Sequence, residues 1–292
     1  MLAVLLTASI TLVGCGSNSL DTESKKGGDV KASVDKEAAA MVPQAIKDKG
    51  TLTVGTDASY APSEFLGGDG KTIEGFDIDL FTAVAKKLDL DVKFVNAKFD
   101  SIITGVQGGK YDVGVSSFTV NADRMKQVNM VSYFNAGTQW ASAAGNPKKV
   151  DPEKPCTATV SVQQGTVQQE EDLPPKMAAC KKAGTPMRDP LTYEGQDEVT
   201  ANVVSGKADA MLADSPVVAY AVEQSKGKLE ALGDIYDAAP YGYVIPKDQT
   251  ELAEAVVAAL KSLEADGGYE KALKGWGVED GAIDDFAVNP AV

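Results

Sequence analysis

The sequence contains no histidine. This absence excludes acid/base catalysis by histidine, Ser-His and Cys-His nucleophile pairs, and the most common metal ligand in proteins. Cysteine is scarce as well: the chain has Cys15, Cys156 and Cys180, with neither CxxC nor zinc-finger spacing. We therefore expect neither a metal site nor a cofactor.

Basic side chains are few relative to acidic ones. The chain has 28 lysines and arginines against 42 aspartates and glutamates, which gives a net charge of −14. Because nucleic-acid binding needs basic patches that neutralise phosphates, this balance excludes nucleic acid as a partner. The hydrophobic content of 43% is ordinary for a globular protein, and the length of 292 residues predicts two domains.

An apolar stretch opens the chain. Residues 1–14 are almost wholly apolar or small, and they are too short to span a bilayer as a mature helix, so they predict a signal peptide. The run Leu12-Val13-Gly14-Cys15 resembles the bacterial lipobox, in which the cysteine is lipidated and becomes the mature N-terminus. The basic segment that normally precedes such a run is missing, which indicates a true start codon further upstream. The alternative is a frayed apolar terminus.

Residues 15–48 are predicted to be a flexible linker, because the stretch after Cys15 is polar and small without apolar periodicity. A lipidated Cys15 would hold a folded body just outside a membrane. In such oxidising surroundings the two remaining cysteines, Cys156 and Cys180, are expected to form a disulfide. Two separate buried thiols are the alternative.

Strand-like and helix-like stretches alternate between residues 51 and 117 in the order strand, helix, strand, helix, strand. This order predicts two βαβ units and a parallel sheet. Ligands of such sheets bind outside the carboxyl ends of the strands. Asp57 and the pair Ser116–Ser117 stand at such ends and are candidate binding residues.

The third strand leads into the stretch Ser116–Arg124. Asn121 is a candidate N-cap of the helix that follows. Arg124 stands in the first helical turn, where the macrodipole disfavours a cation. An anion at this helix start would satisfy both the free backbone N–H groups and the guanidinium, so we interpret the stretch as a carboxylate-binding site. The alternative is a solvated arginine after a turn.

A short internal sequence similarity predicts a second lobe of similar build. Residues 109–113 (Gly-Lys-Tyr-Asp-Val) are similar to residues 206–210 (Gly-Lys-Ala-Asp-Ala), and each run opens a strand. The second strand ends at Asp214, which is either a binding residue or the cap of a helix with Pro at its start. Two further strands, over 138–144 and 241–245, are predicted to cross between the lobes.

These residues together resemble the polar amino-acid-binding proteins (family 3 solute-binding proteins) of bacterial ABC importers. The resemblance extends from about Gly50 to Trp276. It rests on five runs in this order: Gly55–Pro62, Gly75–Leu80, Ser116–Arg124, Gln164–Thr166 and Asp209–Asp214. It implies a two-lobed α/β fold of the periplasmic-binding-protein type II (Venus-flytrap) class with two crossing strands. The implied division is lobe 1 over 49–138, lobe 2 over 139–240, a return to lobe 1 over 241–280 and a C-terminal tail over 281–292.

The resemblance also implies a ligand site and no catalytic residue. Arg124 would hold an α-carboxylate and Asp214 an α-ammonium, while Tyr60 and Phe99 would sandwich the ligand side chain and Asp57 would meet its polar end. The full predicted set comprises Asp57, Tyr60, Phe99, Ser116, Ser117, Thr119, Arg124, Gln163, Gly165, Thr166, Val167 and Asp214.

The implied function is that of a lipid-anchored extracytoplasmic receptor. It would bind a polar amino acid as a monomer and deliver it to the transmembrane subunits of an ABC permease. Asp57 disfavours acidic ligands and leaves two classes open, the basic amino acids and glutamine. Two alternatives remain: a sensory amino-acid-binding surface protein, and a cyclohexadienyl-dehydratase-like enzyme in which Glu64 is the candidate acid/base group.

Overall fold

The structure is a computed structural model that describes residue 27 and residues 30–291. The predicted signal peptide and Cys15 lie outside the described residues. Among the helices of the described part, none has the length and apolar character that a membrane crossing requires.

The described residues form strands and helices in alternation, as the sequence predicts for an α/β protein. The strands are β1 (Thr51–Thr56), β2 (Ser59–Tyr60), β3 (Glu64–Leu66), β4 (Ile73–Glu74), β5 (Asp91–Asn96), β6 (Val113–Gly114), β7 (Asn129–Ala143), β8 (Val160–Gln163), β9 (Leu191–Tyr193), β10 (Ala210–Asp214) and β11 (Leu229–Ile245). The α-helices are α1 (Lys36–Met41), α2 (Gln44–Lys49), α3 (Phe76–Lys87), α4 (Phe99–Gln107), α5 (Ala122–Gln127), α6 (Leu173–Lys182), α7 (Gln196–Val204), α8 (Ser215–Gln224), α9 (Thr250–Ala265) and α10 (Gly268–Trp276). A π-helix (Gln168–Asp172) precedes α6, and a 3₁₀ turn (Glu279–Gly281) follows α10.

One eight-stranded sheet runs through both halves of the molecule, in the order β5-β1-β6-β11-β7-β10-β8-β9. Strands β5, β1 and β6 are parallel at one end, and β10, β8 and β9 are parallel at the other. This is the βαβ arrangement expected from the alternating pattern. Strands β2, β3 and β4 form a small separate sheet.

The antiparallel pair β7 and β11 joins the two parallel halves. These are the predicted crossing strands, but each is far longer than expected, with 15 and 17 residues. The sequence obscures the first part of β11, because Asp237 and Pro240 are typical of turns. In the structure this part of the pair contains register shifts instead, and Asp237 adopts a positive φ of 49°. Separate buried clusters include the two ends of the pair, one with Val131 and Tyr243 and the others with Trp140 and Ala141, in agreement with a two-lobed fold.

The predicted flexible linker over 15–48 is wrong for its last part, since α1 and α2 lie within it. Asp35 caps α1 by accepting bonds from the backbone N–H groups of Glu37 and Ala38. Ala38 and Val42 are each 2% exposed and belong to the largest core cluster. The sequence conceals these helices, because each has six residues and carries too few apolar positions to show a period.

The C-terminal tail packs against the crossing strand β7. Phe286 is 1% exposed, and Val288 forms a bridge with Val131. Asn289 accepts a bond from the backbone of Met130. The tail is therefore part of the first lobe's core.

The predicted disulfide between Cys156 and Cys180 is confirmed. Its two Cα atoms lie 5.2 Å apart, and the bond ties α6 to the segment before β8. Cys180 is buried in the core of the second lobe together with Val160 and Trp140.

We expect replacement of Cys156 and Cys180 by serine to lower the free energy of unfolding by about 3 kcal/mol. The bond closes a loop with a sequence separation of 24, and the chain-entropy relation gives this magnitude for such a loop. Urea unfolding followed by circular dichroism measures the loss. The wild type in reductant should match the variant, and a difference between wild type and variant below about 1 kcal/mol would contradict a stabilising role.

Candidate functional site

A small enclosed cavity lies between the two lobes, where the strands β6 and β10 end. Its volume is about 10 Å³, which is room for about one water molecule. Both lobes contribute to its lining: Tyr60, Phe99, Ser117, Thr119 and Arg124 from the first, and Thr166, Val167, Gln168 and Asp214 from the second. A larger cavity of about 420 Å³ lies beside the crossing strands and contains none of the predicted residues.

Arg124 is the cation of this cavity. It stands in α5, and its backbone N–H donates to the side chain of Asn121, which confirms Asn121 as the N-cap. The guanidinium donates to the carbonyls of Thr119 (2.9 Å) and Gly165 (3.0 Å) and lies over the rings of Phe99 and Phe118 at 5.5 Å. A guanidinium has five N–H donors, so these two bonds leave donors for an anion. The side chain is 6% exposed and is not the solvated arginine of the alternative interpretation.

Asp214 is the anion of the cavity. Its carboxylate accepts bonds from the hydroxyls of Tyr60 and Tyr241 (both 2.8 Å) and from the amide of Gln168 (2.7 Å). Burial raises the pKa of Asp214, and these bonds together with the charge of Arg124 oppose the shift. Asp214 precedes α8, but its side chain makes no capping bond to that helix. The structure therefore does not support the alternative, in which Asp214 serves merely as a helix cap.

Asp57 lies just outside the cavity. Its carboxylate accepts bonds from the backbone N–H of Phe99 (2.9 Å), from Ser59 and from the amide of Gln163 (3.0 Å). It lines a neighbouring depression of about 260 Å³ together with Lys98 and Glu194. Burial raises the pKa of Asp57 to about 6. Asp57 and Arg124 thus both contact Phe99, Asp57 at the backbone N–H and Arg124 at the ring.

Three predicted residues support the site without lining the cavity. The Ser116 hydroxyl accepts a bond from the backbone of Asp57 and donates to Glu64. The side-chain amide of Gln163 donates to both the Asp57 carboxylate and the backbone carbonyl of Glu194. Gly165 presents its carbonyl to Arg124 at a φ of 79°, and a Cβ there would lie 2.9 Å from the Cβ of Asp100. The position of a residue at a strand end indicates an edge of the sheet, but it does not determine which way the side chain points.

Two residues that the sequence analysis missed contact Asp214. Gln168 lies in the π-helix and donates to both Asp214 and Thr138. Irregular turns of this kind are frequent at functional sites, but they have no periodic signature in sequence. Tyr241 lies on the crossing strand β11, next to Pro240, in a stretch whose pattern resembles a turn.

Polar contacts close the cleft around the cavity. Lys98 pairs with Glu194, and Gln164 donates to Asp100 at 2.6 Å. Further contacts between the lobes are those of Asn121 with Glu171 and of Ser59 with Gln196. A cavity of about 10 Å³ cannot admit an amino acid. The lobes must therefore move apart for such a ligand to enter.

Comparisons with known proteins agree with this geometry. The profile described as bacterial extracellular solute-binding proteins, family 3, matches residues 52–279. The chain is 35% identical over 285 residues to the arginine-binding protein ArgT of Corynebacterium glutamicum, covering 98% of this chain and 93% of that protein. It is 28% identical over 286 residues to the ABC transporter glutamine-binding protein GlnH of Bacillus subtilis, covering 96% of each. A solved structure of an ancestral arginine-binding protein bound to arginine matches with a TM-score of 0.70 at 33% identity, over 78% of this chain and 98% of the other.

Proposed function

Because the chain belongs to the bacterial extracellular solute-binding proteins of family 3, we propose that it binds a polar amino acid between its two lobes. One observation carries the proposal. Arg124 from the first lobe and Asp214 from the second are both buried against the same cavity. An amino acid zwitterion needs one cation, one anion and several N–H donors. The cavity lining contains both charges, and the Arg124 guanidinium retains N–H donors beyond its two bonds to carbonyls.

The α-carboxylate is assigned to Arg124, and the α-ammonium to Asp214. Buried charges without partners cost several kcal/mol, so a zwitterion placed between the two would satisfy both side chains and itself. The two residues belong to different lobes and line the same cavity when the cleft is closed. Ligand binding therefore favours the closed state, because both partners are present in that state.

The side chain of the ligand is assigned to the space between Tyr60 and Phe99, with its end directed towards Asp57. The neighbouring depression is lined by the carboxylate of Asp57 and by the ion pair of Lys98 with Glu194, so Asp57 is the group there that suits a cationic ligand end. An aromatic ring next to this path favours a cation further. We therefore propose a basic amino acid, with L-arginine as the first ligand to test. Glutamine is the second candidate, because its amide could donate to Asp57.

The proposed role is delivery of the amino acid to the transmembrane subunits of an ABC permease. The protein would act as a monomer, held at the outer face of the cell membrane by lipid on Cys15. A sensory role would use the same binding step and differ in the partner. The dehydratase alternative requires an acid/base group beside the substrate. Its candidate, Glu64, is fully buried and does not line the cavity.

We expect Arg124→Ala to weaken binding of L-arginine by about a hundredfold or more, because the substitution removes one partner of a buried charge pair. Asp214→Ala should have a similar effect. Isothermal titration against the twenty amino acids measures both losses. Lys126→Ala is the matched control: it removes an exposed cation from the same helix and should leave the affinity unchanged.

A wild type that binds no amino acid would contradict the proposed function. Unchanged binding by Arg124→Ala would contradict the carboxylate assignment alone.

We expect Asp57→Asn to discriminate between the two ligand classes. Loss of the charge should weaken a basic ligand by about thirtyfold or more and glutamine by less than about fivefold, because an amide oxygen can still accept from a neutral amide. Titration of both ligands into the variant gives the ratio. Asp91→Asn, an exposed aspartate at the start of β5, is the control. Equal losses for both ligands would contradict the assignment of Asp57 to the ligand's end.

We expect Cys15→Ser to release the protein from the membrane of a bacterial host. The variant lacks the thiol that would carry the lipid, so it should incorporate no labelled palmitate and appear in the soluble extracytoplasmic fraction. Cys156→Ser retains Cys15 and should remain in the membrane fraction. An unlabelled, soluble wild type would show that the anchor prediction is wrong.

A further inference from the structure

A pair of fully buried carboxyl groups lies behind the cavity, Glu64 at the start of β3 and Asp77 in the first turn of α3. Both side chains are 0% exposed. The ion pairs among the described residues include neither of them. Burying two negative charges side by side without a cation is strongly unfavourable. The contacts of the pair indicate how this cost is avoided.

The two carboxyl groups differ in their hydrogen bonds. Asp77 Oδ2 accepts from the backbone N–H of Ser117 (3.1 Å), from its hydroxyl (3.3 Å) and from the Tyr133 hydroxyl (2.6 Å). Glu64 Oε1 accepts one bond, from the Ser116 hydroxyl (3.0 Å). Three donors stabilise a charge on Asp77, whereas one donor does little for a charge on Glu64.

The remaining oxygens of the pair, Glu64 Oε2 and Asp77 Oδ1, are buried and receive no donor from any other described residue. The backbone N–H of Asp77 donates to the carbonyl of Ser63, the residue before Glu64 (3.0 Å), and the two carboxyl groups are close enough to interact electrostatically. A carboxyl–carboxylate bond requires one proton, and that proton would satisfy both oxygens at once. Burial raises the pKa of Glu64 well above its usual range, and the Asp77 carboxyl raises it further. Glu64 is therefore the group that carries the proton.

The pair supports two residues of the binding segment directly. Ser117 lines the cavity and adopts a left-handed φ of 49°, a conformation that a residue other than glycine holds only when its surroundings enforce it. Its N–H and hydroxyl are both held by Asp77. The Ser116 hydroxyl donates to Glu64 and in turn accepts a bond from the backbone N–H of Asp57.

Among the described residues, the titratable groups that bond to the pair or interact with its charge include four tyrosines and Asp57, which are all acids. Tyr133 bonds to Asp77, and its ring stacks on that of Tyr243 at 3.9 Å. Tyr241 is close enough to Asp77 to interact with its charge, as Tyr60 and Asp57 are to Glu64. Loss of the proton would therefore add a negative charge among groups that cannot neutralise it.

We propose that Glu64 and Asp77 share one proton that positions the Ser116–Ser117 segment, so that the affinity for the amino acid falls when this proton is lost in alkaline solution. Glu64 and Asp77 are positioning residues, because neither lines the cavity. The affinity part of this inference rests on the proposed function, whereas the shared proton does not.

The sign of the pH dependence follows from the raised pKa. The proton is bound across acidic and neutral pH and is lost as the pH rises through the pKa of the folded protein. Above that pKa the affinity for L-arginine should fall by up to about tenfold per pH unit. Glu64→Gln replaces the proton by an amide N–H that can still donate to Asp77. It should bind L-arginine within about threefold of the wild type at neutral pH and should lack the alkaline loss.

Isothermal titration of L-arginine across neutral and alkaline pH compares the wild type, Glu64→Gln and Glu251→Gln. Glu251 is exposed in α9, so its variant should follow the wild type. Deprotonation of the ligand affects all three proteins equally and cancels in the comparison. An alkaline loss of the same size in Glu64→Gln and the wild type would overturn the link to affinity.

Infrared spectroscopy in D₂O tests the proton without any ligand. The wild type at neutral pH should show the C=O stretching band of one un-ionised buried carboxyl group, which should disappear on alkaline titration. The band should be absent in Glu64→Gln and present in Glu251→Gln. Absence of the band in the wild type would overturn the shared proton, even if Glu64→Gln failed to fold. A wild type that showed the band but bound no amino acid would overturn the proposed function and leave the shared proton intact.

Discussion

The arrangement of the cleft depends on two opposite charges, Arg124 and Asp214, that are buried on different lobes and face one cavity. Each is held in the closed structure by a neutral group from the other lobe. Arg124 donates to the carbonyl of Gly165, and Asp214 accepts from the hydroxyl of Tyr60. A zwitterion would offer each charge an opposite one in place of a neutral dipole. Electrostatic attraction therefore favours closure around a ligand. Without a ligand, closure relies on the weaker hydrogen bonds to the Gly165 carbonyl and the Tyr60 hydroxyl.

Because Arg124 and Asp214 must face one cavity from different lobes, the segments around them are held in fixed conformations. Ser117 contributes to the cavity from a left-handed backbone that Asp77 holds in place. The sheet provides the two strand ends, and the crossing strands β7 and β11 connect the lobes that must separate. The site is thus divided between two lobes that are joined by the crossing strands, whose pairing contains register shifts along β11.

Much of this could be predicted from the sequence, and the residues show why. Arg124 stands out because a cation in a first helical turn is unfavourable without an anion. Asp214 stands out because it ends a strand before Ser-Pro. Gln168 and Tyr241 left no signal, because a π-helix and an irregular crossing strand have no period. Glu64 and Asp77 are 13 positions apart in the sequence, and their pairing depends on tertiary packing that no local pattern records.

The most direct measurement is a crystal structure of the protein grown with L-arginine. We expect the α-carboxylate on the guanidinium of Arg124, the α-ammonium on the carboxylate of Asp214, and the side chain between Tyr60 and Phe99. We also expect the bond between Tyr60 and Asp214 to lengthen or break to make room. A ligand bound in reverse, or bound in the larger cavity beside the crossing strands, would contradict the assigned roles of Arg124 and Asp214.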